Sequence, residues 1–277
     1  MKIIDGKTLA ENLRKNIANE VKQYSRPPGL AVILVGDDQA SQVYVRNKSR
    51  ACVEVGFYSD QIHKSANITQ EELLSEVQRL NENNNIDGIL VQLPLPSHID
   101  ANEIIEAIIP EKDVDGFSSE NVGKLSLNKP FISPCTPKGV IKMLDSIKCD
   151  LRGKDCVIIG ASNIVGRPMA MEFLNAGATV QVCHKETKDI KQKTKSADII
   201  VAAAGVANLV NSEWVKEGAV IIDVGINRLE DGSMTGDVDF DDVKDVVSAI
   251  SPVPGGVGPM TIAVLLENTL TAYQAKL

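Results

Sequence analysis

The chain has 277 residues, 43% of them hydrophobic and only 4% aromatic, and a formal net charge of −8. That length supports one large or two modest domains with ample core, and the acidic balance argues against nucleic acid or an anionic membrane surface as a partner. No apolar run approaches the length of a membrane span, and Met1-Lys-Ile-Ile-Asp-Gly-Lys7 lacks the apolar core of a signal peptide, so a cytoplasmic location is expected.

Leu9, Leu13, Ile17 and Val21 recur at helical spacing and predict a first amphipathic helix, which Arg26-Pro-Pro-Gly29 breaks. Leu30 to Val35 is a continuous apolar run, as in a buried parallel strand. Gly36-Asp-Asp-Gln-Ala-Ser41 leads into a second helix carrying Val45, Cys52 and Val55; Gly56 closes it, and Phe57 to His63 alternates weakly as a strand. Thr69-Gln-Glu-Glu72 is a capping box ahead of Leu73, Leu74, Val77 and Leu80, and Ile86 to Leu93 is the next strand. Asp100-Ala-Asn-Glu103 starts a short helix that Pro110 stops. Alternating strand and helix predict a parallel sheet for this half. Ser118 to Pro134, polar and irregular, reads as the boundary.

Thr136-Pro137 reads as an N-cap and first-turn pair for a helix through Ile141 and Leu144. Cys156 to Ile159 is then a strand, Gly160 opens a turn, a helix runs from Gly166 to Gly177, and Thr179 to Cys183 is a second strand. This βαβ unit offers helix N-terminal N–H groups to an anion. Five residues separate Gly160 from Gly166, so the spacing is neither G-x-G-x-x-G nor a P-loop. An NAD binder places an acid at the end of the second strand to hold the ribose. Here Cys183-His184-Lys185 stands there, with Glu186 displaced, and a cationic cluster suits the 2′-phosphate of NADP. Strands follow at Asp198 to Ala203, Ala219 to Asp223 and Ala249 to Val253; Pro252 to Pro259 is a stiff loop, and Thr261 to Tyr273 a final apolar helix expected to return to the first domain.

Tyr44 and Lys48, four apart on a predicted helix, share one face. They match the Y-x-x-x-K of short-chain dehydrogenases, but there the pair follows the nucleotide turn, whereas here it precedes it. Gln92 closes a buried strand at the end where ligands of open α/β sheets bind, and Asp115 lies in a turn-forming stretch. The three histidines, His63, His98 and His184, are scattered; they support neither a metal site nor a Ser-His-Asp triad. Cys52, Cys135, Cys149, Cys156 and Cys183 form no C-x-x-C pair and read as free thiols of a reducing compartment.

Ser41-x-x-Tyr44-Val45-x-x-Lys48, DGILVQLPLP (87–96), KDVDGF (112–117), PCTPKG (134–139), GASNIVGRP (160–168), DVGINR (223–228) and PVPGGVGPMT (252–261) occur in this order. Together they resemble the bifunctional methylenetetrahydrofolate dehydrogenase/methenyltetrahydrofolate cyclohydrolase family over nearly the whole chain. The resemblance implies an α/β protein of two domains flanking a cleft, the second a Rossmann-like parallel sheet. Residues 1–118 plus 260–277 are expected to bind folate and carry the chemistry, and residues 136–259 to bind NADP.

It implies that NADP takes a hydride from the methylene bridge of 5,10-methylenetetrahydrofolate, and that water then opens the methenyl cation to 10-formyltetrahydrofolate. Lys48 is the implied acid/base group, Gln92 its hydrogen-bond partner, Tyr44 a wall of the folate pocket and Asp115 the holder of the pterin's amino edge. Pro254, Gly258 and Pro259 are expected to line the substrate, and Gly160, Ala161, Ser162, Arg167, His184, Lys185 and Ile226 to face the cofactor. Many members carry arginine in place of Ala161 and serine in place of Lys185, so here Arg167 and Lys185 are expected to supply the charge for the phosphate. The resemblance also implies a homodimer through the nucleotide-binding half, whose strand Thr179 to Cys183 is expected near a sheet edge. A nucleotide-sensing protein would keep the Rossmann half without needing Lys48 or Gln92, and a monofunctional dehydrogenase would need no proton-transfer group.

Overall fold

The computed structural model describes residues 1–277. Its first half runs β1 (Lys2–Ile3), α1 (Gly6–Val21), β2 (Gly29–Val35), α2 (Gln39–Val55), β3 (Tyr58–Lys64), α3 (Gln70–Glu82), β4 (Gly88–Val91), α4 (Ala101–Glu106), α5 (Ser119–Ser126) and α6 (Cys135–Ser146). Its second half runs β5 (Asp155–Ile159), α7 (Gly166–Asn175), β6 (Thr179–Cys183), α8 (Ile190–Thr194), β7 (Ile199–Ala202), β8 (Val220–Asp223), β9 (Asn227–Arg228), β10 (Met234–Thr235), α9 (Phe240–Val243), β11 (Ala249–Ile250) and α10 (Val257–Gln274). The backbone forms two units: residues 1–10 with 136–261, and residues 11–135 with 262–277. No helix is long and apolar enough to cross a membrane.

In the unit of residues 11–135 and 262–277, β2 is the middle strand of a parallel sheet ordered β3-β2-β4. A strand covered on both faces needs apolar side chains in both directions, and all seven residues of β2 are buried. Helix α3 begins with the full capping box, Thr69 and Glu72 each bonding the other's backbone N–H, and packs Leu73, Val77 and Leu80 against Ile33, Ile89 and Ile104. Each such side chain stabilises the fold by about 1.5–3 kcal/mol.

The carboxyl part of α10 belongs to this unit. It buries Leu265, Leu266, Leu270 and Tyr273, and Asn268 Nδ2 donates to the carbonyls of Val114 (2.9 Å) and Ser133 (2.8 Å). Fully buried Asp87 closes the unit: it takes a two-pronged bond from Arg26 at 2.7 and 2.8 Å, the Gly29 N–H at 2.9 Å and Lys276 Nζ at 2.9 Å.

The other unit holds a six-stranded parallel sheet ordered β1-β11-β8-β7-β5-β6. From β5 the chain passes to β6 on one side, and later strands build outward from β7 on the other. That reversal is the switch point where doubly wound sheets bind ligands. Cys183, expected at the end of an edge strand, ends β6, which is an edge.

Four expectations differ from the structure. Residues 1–10 pack with 136–261 rather than with the first domain, because Lys2 and Ile3 add a strand beside Ala249 and Ile250. Ser118 to Pro134 contains α5, capped by Ser118 through the Asn121 N–H and anchored by buried Leu125. Helix α6 starts at Cys135, so Thr136 is inside it, where its hydroxyl pairs with Thr261 Oγ1 at 2.9 Å. Helix α10 starts at Val257, taking in Gly258 and Pro259 from the supposed loop; proline in a first helical turn sacrifices no hydrogen bond.

Candidate active site

Helix α2 is aimed by its ends. Asp38 accepts the Ser41 N–H at 2.7 Å, and Gly56, at φ 81°, stops the helix in a left-handed turn. Between them Tyr44 and Lys48 stand one turn apart on one side. Lys48 is only 9% exposed, and its Nζ donates to Gln92 Oε1 at 3.0 Å. Gln92 follows β4, tied by its backbone N–H to the Ile33 carbonyl, and its own amide nitrogen donates to the Leu93 carbonyl at 2.7 Å. That second bond fixes which way the amide faces, so its oxygen is turned to the ammonium.

Asp115 lies in the same unit on a loop that Asp113 organises. Asp113 is 1% exposed and accepts from the N–H of Gly116 (3.0 Å), the N–H of Ser118 (2.8 Å) and Asn121 Nδ2 (3.0 Å). Cys135 Sγ donates to the Val114 carbonyl at 3.3 Å, and Asn268 holds the same carbonyl. Burial pushes the Asp115 carboxyl up and Asp113 adds to this, while the Lys48 charge and the Cys135 thiol pull it down. Burial also raises the Tyr44 phenol. One turn beyond Lys48, burial pushes the Cys52 thiol up to about 12, so it stays protonated and unreactive.

In the other unit, β5 ends at Gly160, whose φ is 126° and whose added Cβ would lie 2.1 Å from the Ala203 carbonyl oxygen; only glycine fits. The turn leads to α7, whose first residue has no side-chain cap. Ser162 Oγ accepts the Val165 N–H at 3.1 Å and the Ser162 carbonyl accepts the Arg167 N–H at 3.0 Å, while Arg167 Nε donates to the Ala161 carbonyl at 3.2 Å. After β6, His184 and Thr187 close a tight turn by two hydrogen bonds, His184 N–H to Thr187 Oγ1 at 2.9 Å and Thr187 N–H to the His184 carbonyl at 2.8 Å. Lys185 projects from that turn with its side chain 91% exposed, 4.0 Å from Glu186. A glycine turn, an uncapped helix start and two solvent-facing cations suit a phosphate-bearing dinucleotide. Ile226, 45% exposed, follows β8, and its Cδ1 lies 4.0 Å from where a Cβ on Gly258 would stand. Pro259 shares the first turn of α10 with Gly258, and Pro254 is exposed just before it.

Residues 4–115 match the catalytic domain of the tetrahydrofolate dehydrogenase/cyclohydrolase family, and residues 134–277 match its NAD(P)-binding domain. The chain belongs to this family. The match to the NAD(P)-binding domain runs past residue 261, where the fold hands the rest of α10 to the other unit. Similar relatives include the bifunctional protein FolD of Ruthia magnifica subsp. Calyptogena magnifica, 61% identical over all 277 residues and the whole of that protein. Among solved structures, a bifunctional FolD methylenetetrahydrofolate dehydrogenase/cyclohydrolase from Campylobacter jejuni is 53% identical, with both chains fully covered and a TM-score of 0.98. The Trypanosoma brucei methylenetetrahydrofolate dehydrogenase-cyclohydrolase, solved with NADP and an inhibitor, is 41% identical over 99% of this chain and 97% of its own, with a TM-score of 0.95.

Asp113 and Asn268 escaped the sequence reading. Asp113 sits inside KDVDGF and looks like one of two interchangeable turn carboxylates. Asn268 lies 154 residues from the carbonyl it holds, a distance no local pattern spans.

Proposed function

We propose that the chain oxidises 5,10-methylenetetrahydrofolate to the 5,10-methenyl compound with NADP and hydrolyses that product to 10-formyltetrahydrofolate, as part of one-carbon metabolism. The observation that carries this reading is the bond from nearly buried Lys48 to an amide oxygen that cannot turn away. NADP, when bound, supplies the hydride acceptor. For hydrolysis, Lys48 takes a proton from the attacking water and returns one to the ring nitrogen that leaves, so a single group serves both transfers. Gln92 keeps its Nζ on station, Asp115 binds the amino edge of the pterin, and Tyr44 walls the ring. Residues 11–135 with 262–277 carry these groups, and the proposed cofactor contacts come from Gly160, Ala161, Ser162, Arg167, His184, Lys185 and Ile226. Pro254, Gly258 and Pro259 are proposed as further substrate contacts.

Purified protein given methylenetetrahydrofolate should reduce NADP to NADPH, or NAD to NADH more slowly, with a transient methenyl absorbance. Absence of cofactor reduction with both NADP and NAD would refute the reading. The unpaired edge of β6 supports a homodimer through the nucleotide-binding half, and a monomer mass in light scattering at micromolar concentration would refute that. Five free thiols suit a reducing, cytoplasmic setting.

A further inference from the structure

Two buried carboxylates outside the roles above brace the loops that follow β7 and β8. Asp237 is fully buried. Its Oδ2 accepts the backbone N–H groups of Ala204 (2.6 Å) and Gly205 (2.9 Å), and its Oδ1 accepts the Val206 N–H (2.9 Å) and Asn227 Nδ2 (2.9 Å). Asp223, 4% exposed, accepts the N–H groups of Gly225 (3.0 Å), Asp237 (2.9 Å) and Val238 (3.0 Å). Because the N–H of Asp237 is bonded to Asp223, the carboxylates form one chain joining residues 204–206 to residues 225–227.

All seven of these partners are N–H donors, six from the backbone and one from an amide side chain. Two glycines make the seating possible. A Cβ on Gly225 would lie 2.1 Å from Asp237 Oδ1, and one on Gly236 would lie 1.8 Å from Asp223 Oδ2. Each carboxylate therefore rests directly on the backbone of the other's segment. Seven N–H donors on two carboxyl groups stiffen both loops although Ala204 to Asn208 are exposed. They carry Val206, 50% exposed, and Ile226, 45% exposed, at the carboxyl end of the sheet where a dinucleotide binds.

We propose that Asp237 and Asp223 are positioning residues for the dehydrogenase reaction: they hold residues 204–206 and 225–227 so that Val206 and Ile226 stand as fixed apolar edges against the bound dinucleotide, and hydrolysis does not depend on them. The proposal rests on the dinucleotide reading above. Asp237→Asn keeps the size but turns one acceptor oxygen into a donor, leaving two N–H groups unmet whichever way the amide faces. Asn227→Ala removes one donor from a half-buried site and disturbs the fold less. For parent and variants, three quantities are measured: NADP affinity by titration calorimetry, hydrogen exchange of the amides of residues 204–206, and hydrolysis of the methenyl substrate without nucleotide.

Asp237→Asn is expected to weaken NADP binding by about tenfold or more and Asn227→Ala by about threefold. Exchange at 204–206 accelerates in both, and hydrolysis stays within about twofold of the parent. NADP affinity unchanged in either folded variant would overturn the proposal, as would hydrolysis falling in step with affinity. If Asp237→Asn does not fold, Asn227→Ala carries the test. A parent that binds no NADP would refute the dinucleotide reading itself, while the exchange data would still tell whether Asp237 holds the loop.

Discussion

Replacing Lys48 with methionine removes the only titratable amine bonded to Gln92 while keeping an unbranched side chain of similar length. Gln92 is half-buried, so water replaces the lost donor, and an apolar group now fills a place that is 9% exposed. The stability change should stay within about 1 kcal/mol. The chemical loss is larger. General acid–base catalysis is worth roughly 10²–10⁴-fold, or about 3–5 kcal/mol of barrier, and hydrolysis should fall by that amount. Hydride transfer depends mainly on alignment of two bound molecules and should fall less, so the methenyl compound accumulates. The variant also loses the charge that pulls the Asp115 carboxyl down, leaving burial and Asp113 to push it further up. The folate KM of the variant should therefore begin to change at a higher pH than that of the parent. Lys48→Arg keeps charge but cannot release a proton, and should also fail at hydrolysis. Stopped-flow absorbance of the methenyl compound, with and without NADP, separates the two rates. Hydrolysis near the parental rate in a folded Lys48→Met protein would refute Lys48 as the proton carrier.

Lys185→Asp should lower the ratio of kcat/KM for NADP over NAD by about tenfold, the worth of one charge-assisted phosphate contact; an unchanged ratio would mean the phosphate is held elsewhere. Asp87→Ala strands Arg26 and Lys276, which are partly exposed and rehydrate, so urea unfolding should show a loss of about 3 kcal/mol. Burial is the largest cause that raises the Asp223 carboxyl from 3.8 to about 7, against the N–H bonds it accepts, and the Asp237 charge adds to the rise. A raised acid keeps its proton longer folded than unfolded, so its contribution is fully present below about 3.8 and is lost as pH rises through about 7. Asp223→Asn removes that dependence, so its melting temperature relative to the parent should be higher at pH 8 than at pH 5; an unchanged difference would refute the assignment.

Most strands and helices were legible because burial writes a period into the chain. Leu30 to Val35 is apolar throughout because its strand is covered on both faces, and Thr69 with Glu72 marks its helix start chemically. What escaped was held by few or distant contacts. Helix α5 buries little besides Leu125 and Asn121, so it shows no apolar stripe, although Ser118 was a readable cap. Two residues of β1 are too few to show alternation. Pro259 suggested a loop, yet a first helical turn accepts proline. At the site, the bond between Lys48 and Gln92 was implied only by the family resemblance; no local pattern reads it, since 44 residues separate them. Asp223 was visible only inside DVGINR; its partners are backbone groups, which carry no sequence signature beyond the glycines beside it.

Asn268 has a consequence for how the protein is made. Its amide answers the Val114 and Ser133 carbonyls that flank the Asp115 loop, and it is synthesised 154 residues after Val114. On the ribosome, the six-stranded sheet has all its strands once residue 250 is made, whereas the unit begun at residue 11 waits for residues 262–277. The usual order, in which the amino-terminal domain finishes first, is therefore reversed. A chain truncated after residue 261 would hold every strand of the six-stranded sheet but leave the Val114 and Ser133 carbonyls without their Asn268 donor.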